Sequence, residues 1–177
     1  MKKFNLYKKT PIYFLIITVL FLSSCELFND DNDTSDQLPE ATQTGENTFG
    51  CLINGKPFVV TNTSQQTAIY QQGQLQFGVN IGVGNNDETI AFNLVNPLMV
   101  GESYNLTEND YKAGYTKRIG DKICIYQFEK TFEGSIIFTK IDLNNYIISG
   151  RFSFSTKKIG CEDIKITDGV FDLKYIP

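Results

Sequence analysis

The sequence predicts an all-β protein: a single antiparallel domain, a β-sandwich or barrel-like meander, behind a disordered tether. Three observations predict it. From residue 49 onward, apolar and polar residues alternate with period two in segments punctuated by turn residues every 8–12 positions or so. No segment carries the periodicity of an amphipathic helix, and neither an internal repeat nor a second domain is visible. The span 49–177, about 129 residues, has the ordinary length of one domain and buries about two thirds of its unfolded surface around one core.

The elements follow in order. Residues 49–53 and 56–61 flank Asn54-Gly55, a residue pair that tolerates the positive φ angles of a type I′ turn, and so form a hairpin. Gly73 and the run Gly84-Asn85-Asn86-Asp87 bracket a strand at 75–83. Ile90, Phe92 and Leu94 then alternate with Thr89, Ala91 and Asn93, which gives one buried face and one wetter face. Residues 102–117 are polar and weakly patterned, a long loop or a sheet edge, and a strand is expected at 122–130. A second hairpin joins 135–141 to 146–155 across Asp142-Leu143-Asn144-Asn145, with Tyr146, Ile148, Phe152 and Phe154 inward and Ile147, Ser149, Arg151 and Ser153 outward. In the last strand the apolar residues change parity, from Ile164 and Ile166 to Phe171, Leu173 and Tyr175. One extra residue near Asp168-Gly169, a bulge, restores them to a common face.

Ahead of the domain the chain reads as an address and an anchor. Lys2, Lys3, Lys8 and Lys9 precede an apolar run from Pro11 to Leu22, and no acidic residue occurs before Glu26. That is the order of a secretory signal, and the run falls short of the ~20 residues that cross a bilayer as a helix. Leu22-Ser23-Ser24-Cys25 resembles the lipobox of bacterial lipoproteins, which implies cleavage after residue 24, acylation of Cys25 (palmitate among the acyl chains) and attachment to a membrane. The expected organisation is a signal peptide at 1–24, an acidic disordered tether at 25–48 and an all-β domain at 49–177.

Charge supports this division. Residues 25–48 hold seven acidic side chains and no Lys or Arg, whereas 49–177 hold 13 acidic against 12 basic. A segment so polar and self-repelling buries too little apolar surface to offset the entropy of ordering it. Asp31-Asn32-Asp33-Thr34-Ser35-Asp36 begins like a calcium loop, but the glycine at its sixth position and the glutamate at its twelfth are missing, so no metal site is expected. Glu26, Asp30, Asp31 and Asp33, close behind the lipidated cysteine, resemble the surface-export signals of Bacteroidota lipoproteins; the resemblance implies display at the cell surface in preference to a periplasm-facing outer-membrane anchor.

Three cysteines remain after Cys25. In an oxidising compartment an odd number means one pair and a free thiol, or no pair. The expected disulfide joins Cys124 to Cys161, closing a loop of about 37 residues worth roughly 3–4 kcal/mol in the chain-entropy model; pairings that use Cys51, and three unpaired thiols, stay open.

The chemical inventory restricts function. Without a single histidine the chain cannot build Ser-His-Asp or Cys-His catalysis or an imidazole zinc site. Carboxylate pairs such as Glu162/Asp163 and Asp168/Asp172 leave a carboxylate-based glycosidase as a remote alternative, but they fall in turns or on outward positions, so neither enzyme activity nor a cofactor is expected. Nucleic acid is not an expected partner, because the domain is near neutral and its basic residues do not cluster. With no Trp, Tyr104, Tyr111 and Tyr115 in the weakly patterned stretch are the candidate ligand-binding residues. Two readings follow: a surface-exposed, membrane-anchored module binding a protein or glycan, or a structural or protective envelope lipoprotein with no small-molecule site. A concave patch lined by Tyr104, Tyr111 or Tyr115 favours the first, and a convex, evenly charged surface the second.

Ala41-Thr42-Gln43-Thr44-Gly45, the run from Asn47 to Lys56, the strand from Ile148 to Phe154 and the ending from Ile166 to Tyr175 resemble a family of small Bacteroidota outer-membrane lipoproteins of unknown function. The likeness spans residues 39–177, and Val170 stands where the closing motif of that family has a basic residue. It implies an exported all-β domain and brings no catalytic role.

Overall fold

The computed structural model describes residues 37–177, so the signal peptide, Cys25 and the first half of the tether lie outside the described residues. The described residues form a β-sandwich of eleven strands in two antiparallel sheets. The chain starts in the first sheet with the hairpin β1 (Thr48–Ile53) and β2 (Lys56–Val60), then crosses to the second for the meander β3 (Gln66–Gln71), β4 (Gln74–Val83) and β5 (Asn86–Val95). It touches the first sheet at the short edge strand β6 (Ser103–Asn105) and returns for β7 (Tyr111–Ile119) and β8 (Lys122–Tyr126). It ends with the meander β9 (Thr131–Asp142), β10 (Ile147–Thr156) and β11 (Ile164–Lys174). The sheet orders are β2-β1-β11-β10-β9-β6 and β3-β4-β5-β7-β8, so the last strand lies beside the first.

The core forms where the inward rows of the two sheets meet. Phe152 of β10 packs 4.9 Å from Phe92 of β5 and 5.1 Å from Phe49 of β1, measured between ring centroids, and Phe77 stacks on Phe92 at 4.6 Å. Cys51 is buried there with a free thiol. Burial, with Glu88 adding to it, pushes its pKa far up, so it packs as a small hydrophobe.

The turns follow the local rules. Asn54 and Gly55 both have positive φ, 49° and 77°, as a type I′ turn requires. The bulge in β11 sits where the parity change puts it: Phe152 pairs with Gly169 and Phe154 with Ile166, so three steps on β11 oppose two on β10. Asp168 takes the positive φ, 54°, that the extra residue demands.

Several expectations need correction. Residues 102–117 are two strands and not a long loop; β7 has a clean inward row in Ala113 and Tyr115, and the polar outward row masked it. Residues 122–130 are a strand only to Tyr126 and then turn through the one-turn 3₁₀ helix Phe128–Lys130. Tyr146 does not point into the core, because it sits in the turn with φ 56° and is exposed against the edge of Tyr175. Ile147 and Ser149 face outward yet are buried.

The same cause explains their burial and corrects the tether. The segment expected to be disordered up to residue 48 is laid over the outer face of the six-stranded sheet in its second half. A Cβ on Gly50 would come within 2.3 Å of Pro39 Cδ, so Pro39 rests directly on that glycine. Beyond it, the Asp172 carboxylate accepts hydrogen bonds from Thr42 Oγ1 at 2.7 Å, from the amides of Thr44 and Glu46 at 3.1 and 3.0 Å, and from the amide of Gly45 at 2.9 and 3.0 Å. Ser149 Oγ donates from below at 2.7 Å. Composition counts side chains; this strap is held by backbone N–H groups converging on one buried charge.

Candidate functional site

Tyr104, Tyr111 and Tyr115 do not form an exposed binding face. Tyr104 of β6 is 8% exposed and Tyr115 of β7 is 1% exposed, while Tyr111 is half-buried against Tyr104 with their rings 4.7 Å apart. Tyr104 and Tyr115 belong to the core, and Tyr111 packs against it. Tyr115 Oη lies 3.1 Å from Glu88 Oε1 and its pKa is driven up first by burial and then by that carboxylate. The period-two row of β7 turns Tyr115 inward, and Tyr104 is the buried middle residue of β6.

The concave patch lies elsewhere, on the outer face of the five-stranded sheet. The strand register lines up Thr67, Gly78, Ala91 and Gly114 in one transverse row across β3, β4, β5 and β7. In this row three successive strands thus present nothing larger than a methyl group outward. The rows on either side are polar at their centres: Gln76 beside Asn93, between Ile69 and Lys112 at the ends, and Asn80 beside Thr89 and then Thr116, ending at Ile125. The result is a trough with a smooth floor and amide or hydroxyl rails.

Two small structures wall its ends. At the β3 end the 3₁₀ turn Thr63–Gln65 is capped by Asn62, whose Oδ1 accepts from the Ser64 amide at 3.0 Å and from Ser64 Oγ at 2.9 Å. At the β8 end the Phe128 ring leans over the floor, and a Cβ on Gly114 would touch it at 3.2 Å. Glycine at 114 is what lets the ring lie there. The main concavity has a volume of about 810 Å³, and a smaller one of about 330 Å³ continues past Phe128 toward Ile125 and Glu129. They share Thr89, Ala91 and Phe128.

The wall that carries Phe128 is braced. Cys124 and Cys161 form the expected disulfide, with Cα atoms 6.0 Å apart, and it fixes β8 to the loop that leads into β11. Tyr126 Oη donates to the Glu162 carbonyl at 2.5 Å, and Thr131 Oγ1 donates to the Ala113 carbonyl at 2.8 Å. Side chains on the rails are held as well: Asn80 Nδ2 donates to Thr89 Oγ1 and Gln74 Nε2 to Asn93 Oδ1, each at 2.7 Å. Such pre-orientation lowers the entropy lost when a ligand is bound.

Charge is kept out of the main concavity, and none of the residues lining it is ionisable. On the neighbouring rung, Arg118 pairs with Asp87 at 3.2 Å and Lys117 with Glu88. The carboxylates considered as acid–base pairs do not converge there. Asp172 lies under the strap on the other sheet, Asp168 is in the bulge, and Glu162 accepts from Asn54 Nδ2 at 2.9 Å beside the first hairpin. The arrangement suits recognition of a neutral ligand by hydrogen bonds and one aromatic wall.

A family model described as "Domain of unknown function (DUF6252)" matches residues 47–173, from the end of the strap to the last strand. Neither the curated proteins nor the solved structures contain a match.

Proposed function

The chain belongs to this family of domains of unknown function, and we propose that it is an exported, lipid-anchored binding module without catalytic activity, whose ligand lies in the trough of the five-stranded sheet. The observation that carries the reading is the trough itself. An outward sheet face usually bears long polar side chains; here Gly78, Ala91 and Gly114 leave the floor bare between two ordered polar rows. A pre-formed concavity with a few convergent polar groups is the usual form of a binding site. Support for the anchor comes from the cationic and apolar N-terminus ending at Cys25, and the acidic residues behind it favour display at the cell surface over a periplasm-facing position.

The binding reading is tested with a photo-crosslinking residue placed at Gln76, on the trough, or at Lys165, on the other sheet, in cells that make the protein. Adducts should form from position 76, disappear when Phe128→Ala is added, and not form from position 165. Equal adducts from both positions, or none from 76, would favour a purely structural envelope lipoprotein. The anchor has its own test. In cells fed labelled palmitate, Cys25→Ala should abolish incorporation and leave the precursor uncleaved, and protease added to intact cells should remove the wild-type domain. Label retained by the Cys25→Ala protein would exclude lipidation at this residue.

A further inference from the structure

Deepening the binding reading, on which this inference rests, we propose that the trough takes an uncharged oligosaccharide laid across the strands. Its floor is the first reason. Gly78, Ala91 and Gly114 stand on three successive strands about 4.8 Å apart, a step close to the length of one sugar ring, and nothing larger than a methyl group rises between them. Flat rings fit over such a floor where branched side chains would hold them off.

The rails are the second reason. A sugar hydroxyl both donates and accepts, and so does a carboxamide. With Asn80 Nδ2 committed to Thr89 and Asn93 Oδ1 committed to Gln74, the complementary atoms Asn80 Oδ1 and Asn93 Nδ2 have no protein partner among the described residues. One rail therefore offers an acceptor and the other a donor. Phe128 supplies an apolar wall for the C–H face of a ring.

Electrostatics disfavours the charged alternatives. Acidic sugars, phosphates and sulfates are held by Arg or Lys forks, and none lines the main concavity. The nearest such group, Lys112, lies across from Asn93 on β7 outside the main concavity, one cation on one rail and not a fork, while Arg118 and Lys117 are already neutralised by Asp87 and Glu88. Glu129 at the far end would repel an anionic chain.

Peptide is disfavoured by the edges. Extended peptides bind sheets chiefly by adding a strand to an open edge. The β3 edge is taken by the C-terminal segment, since the Tyr70 amide donates to the Ile176 carbonyl and the Ile176 amide to the Ala68 carbonyl, both at 2.9 Å. At the β8 edge the disulfide holds the 157–163 loop. What remains open is a face, which offers side chains and not a backbone ladder.

The test is calorimetric titration of the purified full chain, lipidated and held in lipid nanodiscs. The probes are cellohexaose, xylohexaose, mannohexaose and maltohexaose, with a heparin hexasaccharide, oligogalacturonate and a twelve-residue Gly-Ser peptide as comparisons. At least one neutral hexasaccharide should bind. Phe128→Ala, Gln76→Ala and Asn93→Ala should each weaken it by about tenfold or more, the change expected from losing one good contact, while Lys165→Ala leaves it unchanged. Retained melting temperatures in the three trough variants exclude unfolding as the cause. Binding of the anionic probes or the peptide with the same dependence on Phe128 would overturn the oligosaccharide inference and leave the binding reading standing. No binding by any neutral probe also overturns it. Saccharide binding indifferent to Phe128, Gln76 and Asn93 would remove the trough as the site and both readings with it.

Discussion

Phe152→Ala should destabilise the domain by about 3–5 kcal/mol, as large-to-small aromatic changes in cores do, and lower its melting temperature by roughly 10–20 °C at this chain length. Phe152 is 4% exposed and touches aromatic rings from three other strands: Phe49 of β1 at 5.1 Å, Phe92 of β5 at 4.9 Å and Phe171 of β11 at 6.3 Å. Removing it opens a void between the sheets that no neighbour can fill alone. Part of its pocket is the backbone of the bulge, since a Cβ on Gly169 would come within 2.6 Å of the ring. The adjacent Arg151 faces outward and is exposed, so Arg151→Ala should stay within about 0.5 kcal/mol. Chemical denaturation of the two variants gives the comparison. Equal losses would mean that the two faces of β10 are assigned the wrong way round.

What the sequence made legible, and what it hid, divides along the range of the interactions. Period-two patterning placed Phe152 and Phe154 inward and Arg151 outward, because one strand's alternation is a local property. The parity change between Ile166 and Phe171 located the bulge for the same reason, and Asp168-Gly169 supplies the residues it needs. The pairing of Cys124 with Cys161, expected with the alternatives that use Cys51 still open, rests on a meander bringing the two together. The pair is correct, but the route differs: Cys124 is in the five-stranded sheet and Cys161 in a connection of the six-stranded one, so the bridge also ties the two sheets.

The trough was hidden because it depends on register. Gly78, Ala91 and Gly114 are unremarkable as single residues, and only pairing puts them in one row. A usable signal was there: outward positions of three strands are occupied by Gly or Ala where Thr, Lys or Gln are the ordinary choice for a solvated face. The tyrosine candidates failed for the converse reason. Tyr104 lies in a three-residue strand, too short for alternation to register, and the polar outward row of β7 masks the inward row that carries Tyr115. The strap was missed because a polar segment was judged by its side chains, whereas its partners are its own amides and an aspartate 126–130 residues away in the chain. Three of the four segments that carry the family resemblance, 41–45, 148–154 and 166–175, meet at that aspartate.

Asp172→Asn should therefore release the strap and cost about 3 kcal/mol or more. The carboxylate is 1% exposed and lies among donors only: Thr42 Oγ1, Ser149 Oγ and the amides of Thr44, Gly45 and Glu46. Hydrogen bonds to a charged group contribute about 1.5–3 kcal/mol each when well made, and donors left unpaired in a buried site cost more than the bond itself. An asparagine keeps the shape but turns an NH₂ group toward N–H and O–H groups and removes the charge. Burial raises the pKa of this carboxyl, but the bonds from Thr42, Ser149, Glu46 and Gly45 outweigh it and hold the group below its ordinary value. Because the folded-state value is the lower one, the stabilisation is fully present above the unfolded carboxyl value of about 3.9 and is lost as the pH falls through the folded one. The strap should thus stay docked across neutral and mildly acidic pH and detach only in stronger acid. Hydrogen exchange at the amides of residues 44–46 reads this directly. Wild-type protein should protect them at pH 7 and lose that protection below the ordinary carboxylate range, while Asp172→Asn exchanges freely at pH 7 with the β10 and β11 amides still protected. Protection of residues 44–46 that survives the substitution would show that side-chain packing such as Pro39 on Gly50, and not the buried charge, holds the strap.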